Sequence, residues 1–404
     1  METSWWRRIL RLKRCWLLTA LPLGLLLEAA AAGNQNFAEW YAANFYPGLS
    51  KTGNLISSLL PFSLGEWVVI FSAIAAVVFL VFQAVQLIRK KGDRLFCTAR
   101  LFLNLFCAAG LVLLAFALSC GINYHRISFA ESSGLEVRES SREELAELCE
   151  ALTEKVNALR PQIAEVNGVA TPPASFSEMG GEAQRAFSAL SLQYPLLQDG
   201  YGAPKTVLLS RGMSWLNITG IFFPFTFEAN VNVDIPKYNI PAVMCHELSH
   251  LRGFMREDEA NFLAYLACKN SASLDFQYSG YMLAFIYATN ALYEVDKEAY
   301  SRIFNRLDPG VRRDISCQSN YWKQFEGPVA DTATSINNGY LQANHQDDGV
   351  KSYGRMVDLL LADTMTTLSQ SRAAILGCRQ TGLPVMVTMN VEEDGETCMG
   401  SDLV

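Results

Sequence analysis

The stretch AVMCHELSHLRGFMREDEANF, residues 242–262, holds two of the four histidines in a chain of 404 residues. His246 and His250 are four apart, which on a helix stacks them on one face. Glu247 is turned about 100° from His246 and reaches beside anything the two rings hold. Two neutral imidazole nitrogens suit a borderline-soft divalent cation, and a neighbouring carboxylate can take a proton from water. That is the chemistry of an HExxH zinc hydrolase, with Zn2+ as cofactor and Glu247 as general base. The run NIPAVMCHELSHLRG predicts the helix that carries these groups over 240–252, with Asn239 as cap, Pro241 in the first turn and Gly253 just past the last. The bland alternative is a surface helix with two solvated histidines. Against it stand the apolar PAVM segment that opens the helix and the scarcity of histidine elsewhere. Cys245 points about 100° away from His246 and reads as buried packing rather than as a soft ligand or switch.

A zinc hydrolase needs a third protein ligand and one open position. No histidine stands where HExxHxxGxxH would put it; Arg256 does. The next acids are Glu257, Asp258 and Glu259, and a chain reversal at Gly253 would start a second helix near Arg256 and return its first turn to the metal. Glu257 and Glu259 lie roughly 200° apart on a helix, so only one of them can face the ion. The pattern Glu257-x-x-Ala260-Asn261 resembles the third-ligand helix of gluzincin metallopeptidases. That resemblance implies Glu257 as ligand and Asn261 as the residue supporting a ligand histidine, with Glu259 as the fallback. GIFFPFTFEANVNVDIP, just upstream, is similar to the gluzincin edge strand that pairs with extended substrate, which implies a peptide or protein substrate added to the sheet by main-chain hydrogen bonds. A donor for the transition state is expected from Tyr353 or His345, each with a plainer reading as core or loop. Asn217 opens a formal glycosylation sequon.

These residues need a scaffold, and composition says where it lies. Half of the chain is apolar and only 18% is charged, less than soluble proteins carry. The net charge is −7 with no basic patch or phosphate-cradling loop, which sets nucleic-acid partners aside. Residues 67–88 and 101–119 are uncharged apolar runs long enough to cross a bilayer, and 15–32 is either a signal anchor or a first span. The loop RKKGDRLFCTAR is basic, so it belongs to the cytoplasm and everything after Ser119 lies outside the cell membrane. His125, just past the last span, is expected at the interface.

The expected organisation is a membrane region over 1–120, an acidic extracytoplasmic domain over 121–370 and a tail over 371–404. SSREELAELCEALTEKVNALRPQ predicts an amphipathic helix, a Pro/Gly/Ser link follows, and a second helix runs over about 182–197. KTVLLS and the GIFFPF segment predict two or three strands, one at an edge because of Pro224, and the region after Asn239 is mostly helical. The cysteines show no paired spacing, though one or two disulfides are compatible with an outer compartment. The fold class expected is α+β: transmembrane helices, then a mostly helical gluzincin-like zinc-peptidase domain with a small antiparallel sheet. The order of spans, strand segment, metal motif and GYLQANHQDDGVKSYGRMVDLL resembles an uncharacterised family of bacterial multi-pass membrane zinc metallopeptidases. A membrane-anchored peptidase is therefore the leading reading, and a non-catalytic peptide or metal sensor is the competing one. Oligomeric state is not written in the sequence.

Overall fold

The computed structural model describes residues 5–89, 93–138, 140–344, 346, 349 and 355–364. The protein is mostly helical with small sheets. Near the N-terminus three helical stretches are long and apolar enough to cross a membrane: Lys13–Gly33, Leu64–Arg89 and Arg94–Ser119. The first ends in helix α1 (Ala20–Gly33); α2 (Tyr46–Ser58) follows, and the other two stretches are α3 (Leu64–Arg89) and α4 (Arg94–Ser119).

Helix α1 packs along α4 through small residues. A Cβ on Gly24 would come within 3.1 Å of the backbone nitrogen of Leu114, and one on Gly110 within 2.8 Å of that of Leu21. Such close backbone approach is how apolar helices gain packing where no hydrophobic force separates them from lipid. At one end Arg8 forks onto Asp93 at 2.7 and 2.9 Å. At the other, the Tyr41 hydroxyl donates to the carbonyl of Leu118 at 2.6 Å.

The connector over 34–63 docks, from Tyr46 on, against the domain that follows α4. Asn54 donates to the Phe227 carbonyl at 2.8 Å and accepts from Gly202 N–H at 2.6 Å, and Ser50 bonds Tyr201 at 3.0 Å. Buried Glu228 accepts the N–H groups of Leu64 and Gly65 at 3.0 and 2.6 Å and pairs with buried Lys205. The first turn of α3 thus has its orphan donors satisfied by a charged side chain of the sheet, which suits the positive end of the helix.

In the domain that follows α4, helix α5 (Arg142–Leu159) is capped by the reciprocal Ser141–Glu144 box and buries Leu145, Leu148, Leu152 and Val156 on one face. The segment expected as a link, 168–181, has its first residues in a hairpin of β1 (Glu165–Val166) and β2 (Val169–Ala170), turned by Asn167 and Gly168, both at positive φ. Asn-Gly is the pair best suited to that turn. Helix α6 (Phe176–Gln193) starts earlier than expected because Ser175 and Glu178 make a second capping box. Three further strands follow, β3 (Lys205–Thr206), β4 (Gly220–Phe223) and β5 (Glu228–Val231), in the order β3-β5-β4. The sheet is mixed rather than antiparallel: β4 runs antiparallel to β5, but β3 pairs with β5 in parallel. The chain between β3 and β4 passes through a short helix, Ser210–Trp215, before β4 and β5 form their hairpin, and this crossover lets β3 lie parallel to β5.

Helix α7 (Ile240–Leu251) lies against β4 and β5, and it packs with α8 (Glu257–Lys269) and α9 (Leu274–Val295) in the centre of the core. Almost every side chain of α8 up to Cys268 is buried, including three acids at its start. Helices α10 (Lys297–Asn305), α11 (Pro309–Lys323) and α12 (Pro328–Ala343) complete the described domain. All described cysteines are free; Cys245 and Cys268 are buried with sulfurs 3.7 Å apart. The tail over 371–404 lies outside the described residues.

Candidate metal centre

Asn239 does not cap α7. It sits in a 3-10 turn that runs straight into the helix, and its amide donates to Gln318 at 3.3 Å. The C-terminus behaves as the glycine signal predicts. Gly253 adopts φ +88, its N–H returns to the His250 carbonyl at 2.9 Å, and the Phe254 N–H returns to the Ser249 carbonyl at 3.2 Å. This pair of bonds is a Schellman stop, which needs a residue at ease with positive φ. The turn also does something no cap rule foretells: it aims the Phe254 carbonyl at His250 Nδ1, 2.7 Å away.

Beyond the turn, Glu257 is the first residue of α8, and its N–H donates to the Gln346 side chain at 3.1 Å. Its Oε2 lies 3.1 Å from His246 Nε2 and 3.6 Å from His250 Nε2, while the two Nε2 atoms are 3.0 Å apart. One helical turn on, Asn261 Oδ1 faces His246 Nδ1 at 2.8 Å, and the Asn261 side chain also hydrogen-bonds Tyr287. The fallback acid is turned elsewhere. Glu259 accepts the Phe129 N–H at 2.8 Å and lies 3.8 Å from Arg256, while Asp258 pairs with Arg256 at 3.1 Å. Burial of Glu259 raises its pKa to about 7.

Each imidazole has its Nδ1 against an oxygen acceptor, which suits a proton on Nδ1 and turns both Nε2 atoms toward Glu257, where each can carry a proton in the metal-free protein or offer its lone pair to a cation. Two ring nitrogens and one carboxylate oxygen therefore converge on one point. A tetrahedral ion with ligands at about 2.0–2.1 Å holds neighbouring donors about 3.3 Å apart, and the spacings observed here fall on either side of that. His246, His250 and Glu257 could thus hold a single metal ion, and an N2O set of this kind suits zinc. The electrostatics point the same way. Burial works against a charged His250, yet the Glu257 carboxylate overcomes it and raises the imidazole to about 9. Burial likewise opposes the charge on Glu257, and the imidazoles overcome it, lowering the acid to about 2. The cluster seeks a positive charge at its centre, which a proton supplies weakly and a divalent cation supplies well.

Glu247 is buried beside this group, and desolvation raises its pKa. One carboxylate oxygen accepts the backbone N–H of Phe222 in β4; the other, Oε2, has no hydrogen-bond partner. Strand β4 is an edge, and the bond from Asn232 N–H to the Thr219 carbonyl sets its alternation, so that Gly220 and Phe222 turn their main-chain groups to the free side. Glycine at 220 is required by proximity: a Cβ there would fall 2.4 Å from Glu247 Oε1. Gly220→Ala is expected to displace the Glu247 carboxylate and cut any hydrolysis by at least ~10-fold, because misplacing a reacting group by about 1 Å is that costly. Metal content should not change. Equal turnover with equal metal content would show that Glu247 plays no part there.

The profile of a family described as "Protein of unknown function (DUF3810)" matches residues 41–361. The chain belongs to that family. The matched range takes in most of the connector, α3, α4, the sheet and the three converging residues. No curated protein and no solved structure matches the chain.

Of the remaining sequence candidates, Tyr353 and His345 lie outside the described residues. His125 stands just past α4 with its Nε2 3.6 Å from Glu28. A group the sequence reading passed over is Cys120, Tyr124 and Tyr340. The two phenols are 3.0 Å apart, and each of the three feels the charge of Glu257. No motif marks them, because Tyr340 comes from a part of the chain distant from Cys120 and Tyr124. Asn261→Ala removes the acceptor that fixes the His246 tautomer, and zinc affinity is expected to fall ~10- to 100-fold in a competition titration with a chelating dye. An unchanged affinity would mean that the ring needs no such support.

Proposed function

We propose that the protein is a membrane-anchored, zinc-dependent metallopeptidase with a gluzincin-like catalytic domain. The observation that carries this reading is the convergence of His246 Nε2, His250 Nε2 and Glu257 Oε2, with the Nδ1 of each ring held against an oxygen on its far side. Zinc held there acidifies water and polarises a carbonyl oxygen. The chain's own residues do the rest. Glu247, buried with one oxygen unpartnered, accepts the proton of the attacking water and returns it to the departing amine. Its raised pKa suits a group that must both take and give a proton. The free edge of β4 aligns an extended peptide by main-chain hydrogen bonds, with Gly220 and Phe222 next to Glu247.

The basic loop after α3 and the acidic outer domain favour a catalytic face outside the cytoplasm. Elemental analysis of the purified full chain should find one zinc per molecule. A mixed peptide library should be hydrolysed, with activity lost on chelation and restored by zinc. Zinc bound at full occupancy without cleavage of any library member would instead favour the sensor reading.

A further inference from the structure

The outer domain keeps a band of large apolar side chains exposed beside α3: Leu59, Phe62, Leu208, Leu209, Ile221 and Phe225. Leu59 is 77% exposed and Leu208 73%. Exposed apolar patches of this kind mark contact with a partner or a membrane, and here the neighbouring contacts name which. The N–H groups of Leu208 and Leu209 are both held by the carboxylate of Glu66, in the first turn of α3, at 3.0 and 2.8 Å. The Phe62 carbonyl, just before α3, accepts from Lys205 at 3.1 Å. The ring of Phe223 lies so close to α3 that a Cβ on Gly65 would come within 2.8 Å of it, and Phe223 meets Phe225 edge to face at 5.5 Å. The band therefore continues the surface of a helix apolar enough to span a bilayer, at the level where that helix begins.

Strand β4 leads from this band into the site. Phe223, at its last position, is packed on α3; Gly220, at its first, is packed on Glu247. Three residue steps of extended chain cover about 10 Å. A second contact sets the same depth from the other side: Tyr340, which feels the charge of Glu257, stacks edge to face on Phe116 of α4 at 6.3 Å.

We propose that the apolar band beside α3 is seated in the lipid surface, and that the substrate is the membrane-proximal segment of a polypeptide anchored in the same bilayer. This rests on the metallopeptidase reading. An extended segment paired with β4 would bring to Glu247 a bond only about three to six residues from the lipid.

The test uses the full chain in phospholipid nanodiscs of phosphatidylcholine and phosphatidylglycerol. A photocrosslinking residue is placed at Leu208, at Phe225 or at Val166, which is exposed on the β1–β2 hairpin. Lipid adducts are expected at 208 and 225 and not at 166; adducts only to a second protein copy, or equal labelling at 166, would overturn the seating. In parallel, zinc-loaded protein is offered one mixed-sequence peptide probe, either free or fused to a single transmembrane helix. The fused probe should be cut at least ~10-fold faster, close to the anchor, because sharing a bilayer raises effective concentration and fixes the approach. The double variant Leu208→Glu, Phe225→Glu should lose that advantage and keep its zinc and its cleavage of the free probe. Equal cutting of both probes overturns the substrate class and leaves the peptidase standing. Cutting of neither, with zinc bound, overturns the peptidase and the substrate class together, while the lipid adducts still report on the seating by themselves.

Discussion

Glu247→Gln is expected to lower peptide hydrolysis by about 10²- to 10⁴-fold, the usual worth of a positioned general base, with one zinc still bound per chain. The amide keeps the shape of the carboxylate and its remaining oxygen can still accept the Phe222 N–H, so β4 should not move. What is lost is the ability to take a proton. The change also removes a buried charge whose second oxygen has no partner, so the variant should be no less stable than the parent. Loss of rate without loss of metal or fold is a combination that a purely structural glutamate cannot produce. The measurement is kcat/KM on a library-derived peptide beside zinc content and the unfolding midpoint. Retained turnover in Glu247→Gln would sink the catalytic role.

Those parts of the site that follow from local rules are legible in the chain. The i, i+4 histidines, Pro241 in the first turn and the glycine stop at 253 are all decided by residues within one helix and its flanks. The long apolar runs are legible for the same reason, since a span must satisfy its backbone within itself. The choice between Glu257 and Glu259 is different. Helical geometry says only that they face apart; which one meets the histidines depends on the angle between α7 and α8, set by the Schellman turn and by what Glu259 finds at Phe129. Position 239 fails for a related reason, because Gln318, eighty residues away in the chain, takes the amide that a local rule assigns to the cap. The parallel pairing of β3 and the docking of 34–63 on the sheet are likewise tertiary facts, carried by Glu228, Lys205 and Asn54 in segments without a motif. The Ser175–Glu178 box is a local signal too, but it lies inside a Pro/Gly/Ser-rich stretch whose composition reads as a link.

The second large effect separates a metal site from an ordinary buried ion pair. With zinc at about 1,000 times its Kd, the native parent should gain about 4 kcal/mol over the metal-free form. Both His250→Ala and Glu257→Gln should abolish that gain, with affinity falling by more than the ~10- to 100-fold that an outer partner is worth. Without metal the two variants should part company. His250→Ala leaves the Glu257 carboxylate buried with His246 as its one remaining neighbour in the cluster, and opens a small void, so it should be less stable than the metal-free parent. Glu257→Gln leaves His250 free to return to its neutral form, still bonded to the Phe254 carbonyl, so it should cost little. If the trio were simply a salt bridge, zinc would not stabilise the parent at all, and the two variants would differ only in the metal-free state. Calorimetric or fluorescence unfolding of the three proteins, with and without zinc, decides the matter, because only a site built around a cation makes both substitutions equally blind to zinc while leaving them unequal in its absence.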